Sequence, residues 1–212
     1  SANIAGYSAE IFNKGILPST GHILITASDR EPIRSRAALI ARAEAAVPGV
    51  IAVPRFAHPA VLFFGGSRQP ISAMGVIPAL EERANRFCGR MLAGRCPSSP
   101  GSHELVLGNV LASDLHIGVG DAATLVLPFE DLDGVRYAKE RFTVVGVLAP
   151  LGGFTSIEHA AFLHIDELCA LLQEGQSLTS LHLYLPAVSA AERAAQSLQQ
   201  SLGPPVRVRA WP

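Results

Sequence analysis

Seven histidines and three cysteines are the side chains of this 212-residue chain best suited to hold a metal or move a proton. His159 and His164 lie five apart, but no CxxC, HExxH or carboxylate cluster accompanies them, so the spacing of a metal-ligand set is missing. His182 stands in the alternating run Ser180–Leu185 and reads as a partly exposed strand residue. Ser102-His103-Glu104 has the residue types of a nucleophile, a base and an acid. Neighbours on an extended segment point to opposite faces, so these three cannot form a triad among themselves, and no GxSxG elbow occurs. A hydrolase would need His103 or His159 to meet a carboxylate and a nucleophile in a deep pocket. Gly65-Gly66 and Gly152-Gly153 precede neither a GKS/GKT phosphate loop nor a GxGxxG fingerprint, and read as turns. The expectation is a non-enzymatic chain with no catalytic residue, no cofactor and no metal. Cys88 and Cys96, eight apart among Gly89, Gly94 and Pro97, are either a small disulfide loop in an oxidising compartment or two free thiols. Cys169, among Leu168, Leu171 and Leu172, reads as a small core residue.

Composition narrows the class. Hydrophobic residues make up 49% and charged residues 17%, which is apolar enough for a packed core and too apolar for disorder. A net charge of −1 without any Lys/Arg block argues against nucleic acid as a partner. There is no apolar run of about 18 residues and no signal-peptide pattern. Ser1-Ala2-Asn3 fits a processed start or an excised stretch.

The elements that must position these residues follow from periodicity. Ile4, Tyr7, Ile11 and Phe12 suggest a lead-in helix ending at Leu17-Pro18. His22–Ala27 reads as a strand. Asp29 can cap a helix whose inner face is Ile33, Ala37, Ile40, Ala43 and Val47, with Arg34, Arg36, Arg42 and Glu44 elsewhere, and Pro48-Gly49 closes it. Val50–Val53 and Ala60–Phe64 are strand segments, Gly65-Gly66-Ser67 a hairpin turn, and Ile71–Val76 the return strand. Near the end, Ser180–Leu185, a helix from Ser189 to about Leu202 and Val206–Trp211 form a second β-α-β. The fold class expected is α+β: a split βαβ, ferredoxin-like (porter-type) sandwich of residues 1–76 plus 178–212, interrupted by a small mixed α/β subdomain at 77–177. The insert holds strands at Glu104–Leu107, Ala123–Leu127, Phe142–Leu148 and Ala161–His164, and helices near Asn109–His116 and Asp166–Gln173. Gly118 and Gly120 suit a tight turn that Asp121 can bond, and Gly146 suits a bulge or close backbone approach.

The run Glu104-Leu-Val-Leu-Gly…Asp121, then Arg141-Phe-Thr-Val-Val-Gly-Val-Leu148, then the Ala161–Leu163 strand and the final Val206–Trp211 strand, resembles the periplasmic core domain of MacB/LolC/LolE/FtsX-type ABC-transporter permeases over nearly the whole chain. The resemblance implies a domain on the periplasmic side of the bacterial inner membrane, set between two membrane spans, with Trp211 ending the last strand near the membrane. It further implies a cytoplasmic ATP-binding subunit or domain, a periplasmic partner protein or exported cargo, and a dimeric parent. Lipoprotein-releasing members carry a long loop that hooks a periplasmic carrier at the position of Pro128–Glu140. Here that stretch holds an acidic turn, Phe129-Glu-Asp-Leu-Asp-Gly134, which points instead to MacB-like efflux or an uncharacterised export branch. Phe129, Glu130, Asp131, Leu132 and Asp133, with Phe154 in a second loop, are the candidate partner or cargo contacts, although a Phe in such a loop is more commonly buried. The alternatives are a free-standing periplasmic binding or adaptor module and the lipoprotein-releasing branch.

Overall fold

The structure is a computed structural model that describes residues 20–28, 31–131, 134–150, 155–203 and 205–210. The lead-in helix expected at Ile4–Leu17, the Asp29 cap, and Leu132, Asp133, Phe154 and Trp211 lie outside the described residues. In chain order the elements are β1 (Ile23–Ala27), α1 (Arg36–Ala46), β2 (Ile51–Phe64), β3 (Ser67–Val76), α2 (Pro78–Asn85), β4 (Met91–Gly94), β5 (Glu104–Gly108) and α3 (Asn109–Leu115). They continue with β6 (Ala122–Asp131), β7 (Gly134–Leu148), α4 (Thr155–Glu158), β8 (Ala160–His164), α5 (Ile165–Leu171), β9 (Ser180–Tyr184), α6 (Ala191–Leu202) and β10 (Val206–Ala210). The fold is α+β.

The first layer has the strand order β10-β1-β9-β2, and every neighbouring pair is antiparallel. Period-two alternation sends Ile23, Ile25, Ala52, Leu181 and Leu183 to one face, where α1 and α6 cover them with Leu39, Ala43, Ala195, Leu198 and Leu202. The buried face of α1 is rotated from the one expected: Arg36, Leu39 and Ala43 point inward, and Ala37 is exposed. Arg36 is drawn in because Asp166 pairs with it. At the outer edge, Gln199 of α6 donates to the Val206 carbonyl (3.0 Å) and accepts from the Val208 N–H (2.8 Å). One side chain thus occupies backbone groups that another strand would otherwise pair with.

β2 leaves this layer and enters a second one. Its first half, Ile51–Arg55, pairs with β9; Phe56–Phe64 pairs with β3, and Val61–Phe63 with β6. Read from sequence as two segments, it is one strand of 14 residues. Both prolines fall where the missing N–H has no strand opposite: Pro54 precedes the first β3 pair (Phe56↔Gly75), and Pro59 lies between the β9-paired and β6-paired stretches. Strand pairing then runs β2-β3-β8-β5-β7-β6 and back to β2, a closed ring of six strands. Alternate residues of those strands fill it: Ala60 and Leu62, Ile71 and Ala73, Leu105 and Leu107, Leu125 and Leu127, Phe142 and Val144, Ala161 and Leu163. The inserted region therefore completes its core with β2 and β3, which precede it in the chain.

Local chemistry closes the turns as expected. Gly65 (φ 56°) and Gly66 (φ 84°) make the two-residue link between Phe64 and its partner Ser67. Asp121 Oδ2 accepts the Gly118 N–H at 2.8 Å. At Gly146 the pairing of β5 with β7 slips by one residue, and a Cβ there would lie 2.4 Å from the Arg95 carbonyl oxygen. His182 is buried at 7% exposure, not partly exposed: β9 lies inside its sheet, with β1 and β2 on either side. Its ring is satisfied by Ser180 Oγ (2.9 Å) and the Thr20 carbonyl (3.0 Å), and burial pushes its pKa well down. No helix among the described residues is long and apolar enough to cross a membrane.

Candidate functional site

Asp131 and Gly134, on either side of the acidic turn, are the outermost described pair of a long hairpin. β6 and β7 are in register from Ala122↔Thr143 out to Asp131↔Gly134. β2 grips the base through Val61↔Val126, Leu62↔Leu125 and Phe63↔Thr124. Beyond that point the arms pair only with each other among the described strands, so Pro128–Asp131 and Gly134–Glu140 form a β-ribbon and not the loop expected. The signal was the alternation Val135-Arg136-Tyr137, which the acidic residues beside it obscured.

Alternation gives the ribbon two unlike faces. Leu127, Phe129, Arg136 and Ala138 share the inner one; Leu127 is in the ring core, and Phe129 and Ala138 pack against it. Phe129 is therefore half-buried support. Pro128, Glu130, Val135 and Tyr137 share the outer one, with Val135 58% and Tyr137 67% exposed. Asp131 is ion-paired with Arg136 across the strands, and Glu130 is exposed. His58 Nε2 lies 2.5 Å from the Pro128 carbonyl oxygen and anchors the ribbon's root. A Val and a Tyr held out on a pre-ordered strand pair offer apolar contact area with one polar handle, and little order remains to be imposed on binding. Val135 and Tyr137 were not singled out from sequence, because neither residue looks unusual until the ribbon's faces are known.

The other candidates are placed elsewhere. Ser102 Oγ donates to the Ser99 carbonyl at 2.7 Å within a turn. His103, at φ 51°, donates its backbone N–H to Glu167 Oε1 at 3.1 Å, and its Nδ1 lies 3.5 Å from Glu167 and 3.9 Å from Glu140. Its ring is half exposed and meets carboxylates without a nucleophile. Glu104 turns the other way, accepting from Arg95 (3.0 Å) and from the Ser98 N–H and Oγ (2.7 and 2.9 Å). The Arg95 hydrogen bond, opposed by burial and reinforced by Ser98, brings its carboxyl down to about 2. His164 caps α5, its Nδ1 accepting the Asp166 N–H at 3.3 Å. Among the described residues, no three His, Cys, Asp or Glu side chains converge in a way that could hold a metal ion. Cys88 and Cys96 are bonded to each other, with Cα atoms 5.4 Å apart, and Cys169 is buried with its Sγ 3.5 Å from the Ser177 carbonyl.

Comparison with known proteins agrees with this architecture. The MacB-like periplasmic core domain family matches residues 4–201. The lipoprotein-releasing system transmembrane protein LolC of Neisseria meningitidis serogroup B is 28% identical over 137 residues, 63% of this chain and 33% of that protein. LolC of Xylella fastidiosa (strain 9a5c) is 24% identical over 168 residues, 77% of this chain and 40% of that protein. The chain thus spans well under half the length of these curated relatives. The periplasmic region of MacB from Actinobacillus actinomycetemcomitans superposes with a TM-score of 0.61 at 10% identity, covering 92% of this chain and 91% of that one. The extracellular domain of the ABC-type transporter YknZ from Gram-positive bacteria does so with a TM-score of 0.61 at 13% identity, over 90% and 100%. These likenesses and the family match bear out the resemblance drawn from Glu104–Asp121 and Arg141–Leu148: the chain belongs to the MacB-like periplasmic core domain family, the periplasmic part of ABC-transporter permeases.

Proposed function

We propose that this domain engages an exported cargo or a periplasmic partner through the outer face of the β6–β7 ribbon, and moves with the membrane helices of its parent permease when a cytoplasmic ATPase acts. The observation that carries this reading is the ribbon itself, with Val135 and Tyr137 exposed on one face and Phe129 and Ala138 anchoring the other. The domain does no chemistry of its own: Ser102, His103 and Glu104 each serve a different local contact. We read residues 1–76 with 178–212 as a ferredoxin-like split βαβ unit whose layer is β10-β1-β9-β2 and whose β2–β3 hairpin extends into the ring, and residues 77–177 as the insert. The order, with each β-α-β crossover spanning one intervening strand, supports this. Because β2 runs unbroken from one layer into the ring, displacement of the first layer is carried to the ribbon as a lever. A dimeric parent permease completes the reading.

A second reading, lipoprotein release, is favoured by the LolC relatives, whose similarity covers 63% and 77% of this chain. One experiment addresses both. A photo-crosslinking residue at position 137 is used in cells, with Val135→Ser/Tyr137→Ser as the loss-of-contact variant. A cross-link to a secreted or periplasmic protein that the variant reduces at least tenfold upholds the ribbon as the contact. A lipoprotein carrier as that product selects the second reading. Cross-linking that goes undiminished in the variant removes the ribbon from the function.

A further inference from the structure

We propose that the cleft between the first layer and α2 is an anion site that takes a phosphoryl group. The cleft has a volume of about 450 Å³, and its polar wall is formed by His22, Asn85, Arg86, Arg90 and Tyr184. The charges behind Asn85 and Tyr184 of this wall are paired. Arg55 and Glu81 form a bidentate pair (2.6 and 2.8 Å), and Asn85 Nδ2 donates to Glu81 at 2.6 Å and to the Tyr184 hydroxyl at 3.3 Å. The buried charges therefore cancel, and the sign of the cleft is set by Arg86 and Arg90.

Among the described residues, neither of these guanidinium groups has a carboxylate within ion-pair distance. Glu82, four residues before Arg86 on α2 and its natural partner, instead accepts the Gly89 N–H at 3.1 Å. Arg86 itself ends α2 at φ 58° and ψ 40°, a conformation that glycine would adopt without cost, so a charged side chain is kept where the backbone favours none. His22 adds a directed donor. It is 6% exposed, and its Nδ1 accepts the Leu185 N–H at 2.8 Å, so in the neutral ring the proton sits on Nε2. Two unpaired guanidinium groups and a fixed imidazole N–H around a pocket larger than a bare phosphate match a phosphoryl oxygen set carrying a small substituent.

The group could be a free phosphate ester or a phospholipid headgroup. The cleft lies at the end of the sheet where β1 begins and β10 ends, with Ile23 opposite both Ala210 and Leu183. By the resemblance drawn from sequence, in which Trp211 ends the last strand near the membrane, that end faces the membrane. The headgroup source rests on that reading; the phosphoryl site does not.

The test uses the 212-residue chain in three arms: inorganic phosphate, glycerol 3-phosphate, and flotation with vesicles of phosphatidylglycerol in phosphatidylcholine against phosphatidylcholine alone. Amide chemical-shift mapping follows the first two. Saturable shifts centred on residues 22, 86 and 90 are expected, with binding about tenfold weaker in each of Arg86→Gln and Arg90→Gln. The paired Arg86→Lys/Arg90→Lys chain, which keeps the charge and shows whether substitution spares the fold, is expected to retain binding. Flotation that the Gln variants abolish assigns the site to a headgroup, and small-anion binding without flotation assigns it to a free phosphate. No binding in any arm, shifts centred elsewhere, or equal affinity in the Gln variants overturns the site.

Discussion

Replacing Glu81 by Gln removes one charge from the most completely enclosed ion pair among the described residues. Arg55 is 8% exposed and Glu81 1%. Burial alone would lower the pKa of the Arg55 guanidinium, and the facing carboxylate more than reverses this. The shape of the side chain survives Glu81→Gln, but Arg55 is left charged, buried and without a counter-charge. Breaking such a pair costs about 3–5 kcal/mol. At about 2–4 °C per kcal/mol for a chain of this size, the melting temperature should fall by roughly 10 °C. Urea denaturation followed by circular dichroism measures the loss directly. Arg55→Met/Glu81→Leu is the decisive companion, because it removes both charges and refills the space. It should recover most of the loss, leaving about 1 kcal/mol for the Asn85 amide deprived of an acceptor. The pair joins β2 to α2, so its loss loosens the point where the first layer meets the ring. If Glu81→Gln costs less than about 1 kcal/mol, or the double variant is no more stable than the single one, the enclosed pair does not hold these elements as argued.

Two further outcomes follow from the same wall and ring. Cys88→Ser/Cys96→Ser opens a loop closed over eight residues, and the chain-entropy relation gives a loss of about 2.5 kcal/mol; the same loss on adding reductant to the parent chain, and none in the variant, checks it in urea. Gly146→Ala places a methyl group 2.4 Å from the Arg95 carbonyl, so β4 must shift off β7 or the bulge must be lost. A cost of at least about 2 kcal/mol is expected, and a neutral effect in thermal unfolding would show that this approach is not tight.

Much of the architecture was legible because its causes are local. The β-α-β units at each end rest on alternation and on proline or glycine stops that act within a few positions; the cap expected at Ser189 is not formed, since α6 begins at Ala191 with Ala190 before it and no side-chain bond to its first turn. The Gly65-Gly66 turn and the Asp121 bond to the Gly118 N–H are likewise set by neighbours in the chain. The features that depart from expectation are long-range. An arginine on an amphipathic helix is ordinarily solvated, and only Asp166, distant in sequence, draws Arg36 inward. His182 is buried against expectation because alternation identifies two faces but not whether both are covered. The candidate contacts were legible only as a region: Phe129 turns to the core, Asp131 is held by Arg136, and Val135 and Tyr137 take the outer face.

The sequence by itself determined the α+β class, the short-range turns and, through Glu104–Asp121 and Arg141–Leu148, the family, since each rests on residue types within a few positions of one another. Tertiary structure alone decided three things: the closure of β2, β3, β8, β5, β7 and β6 into a ring, the outward face of the ribbon, and the meeting of His22 with Arg86 and Arg90 across one cleft. Each depends on pairing or packing between segments far apart in the chain. Side-chain period tells a strand which residues share a face; its partners decide which face is left to the solvent.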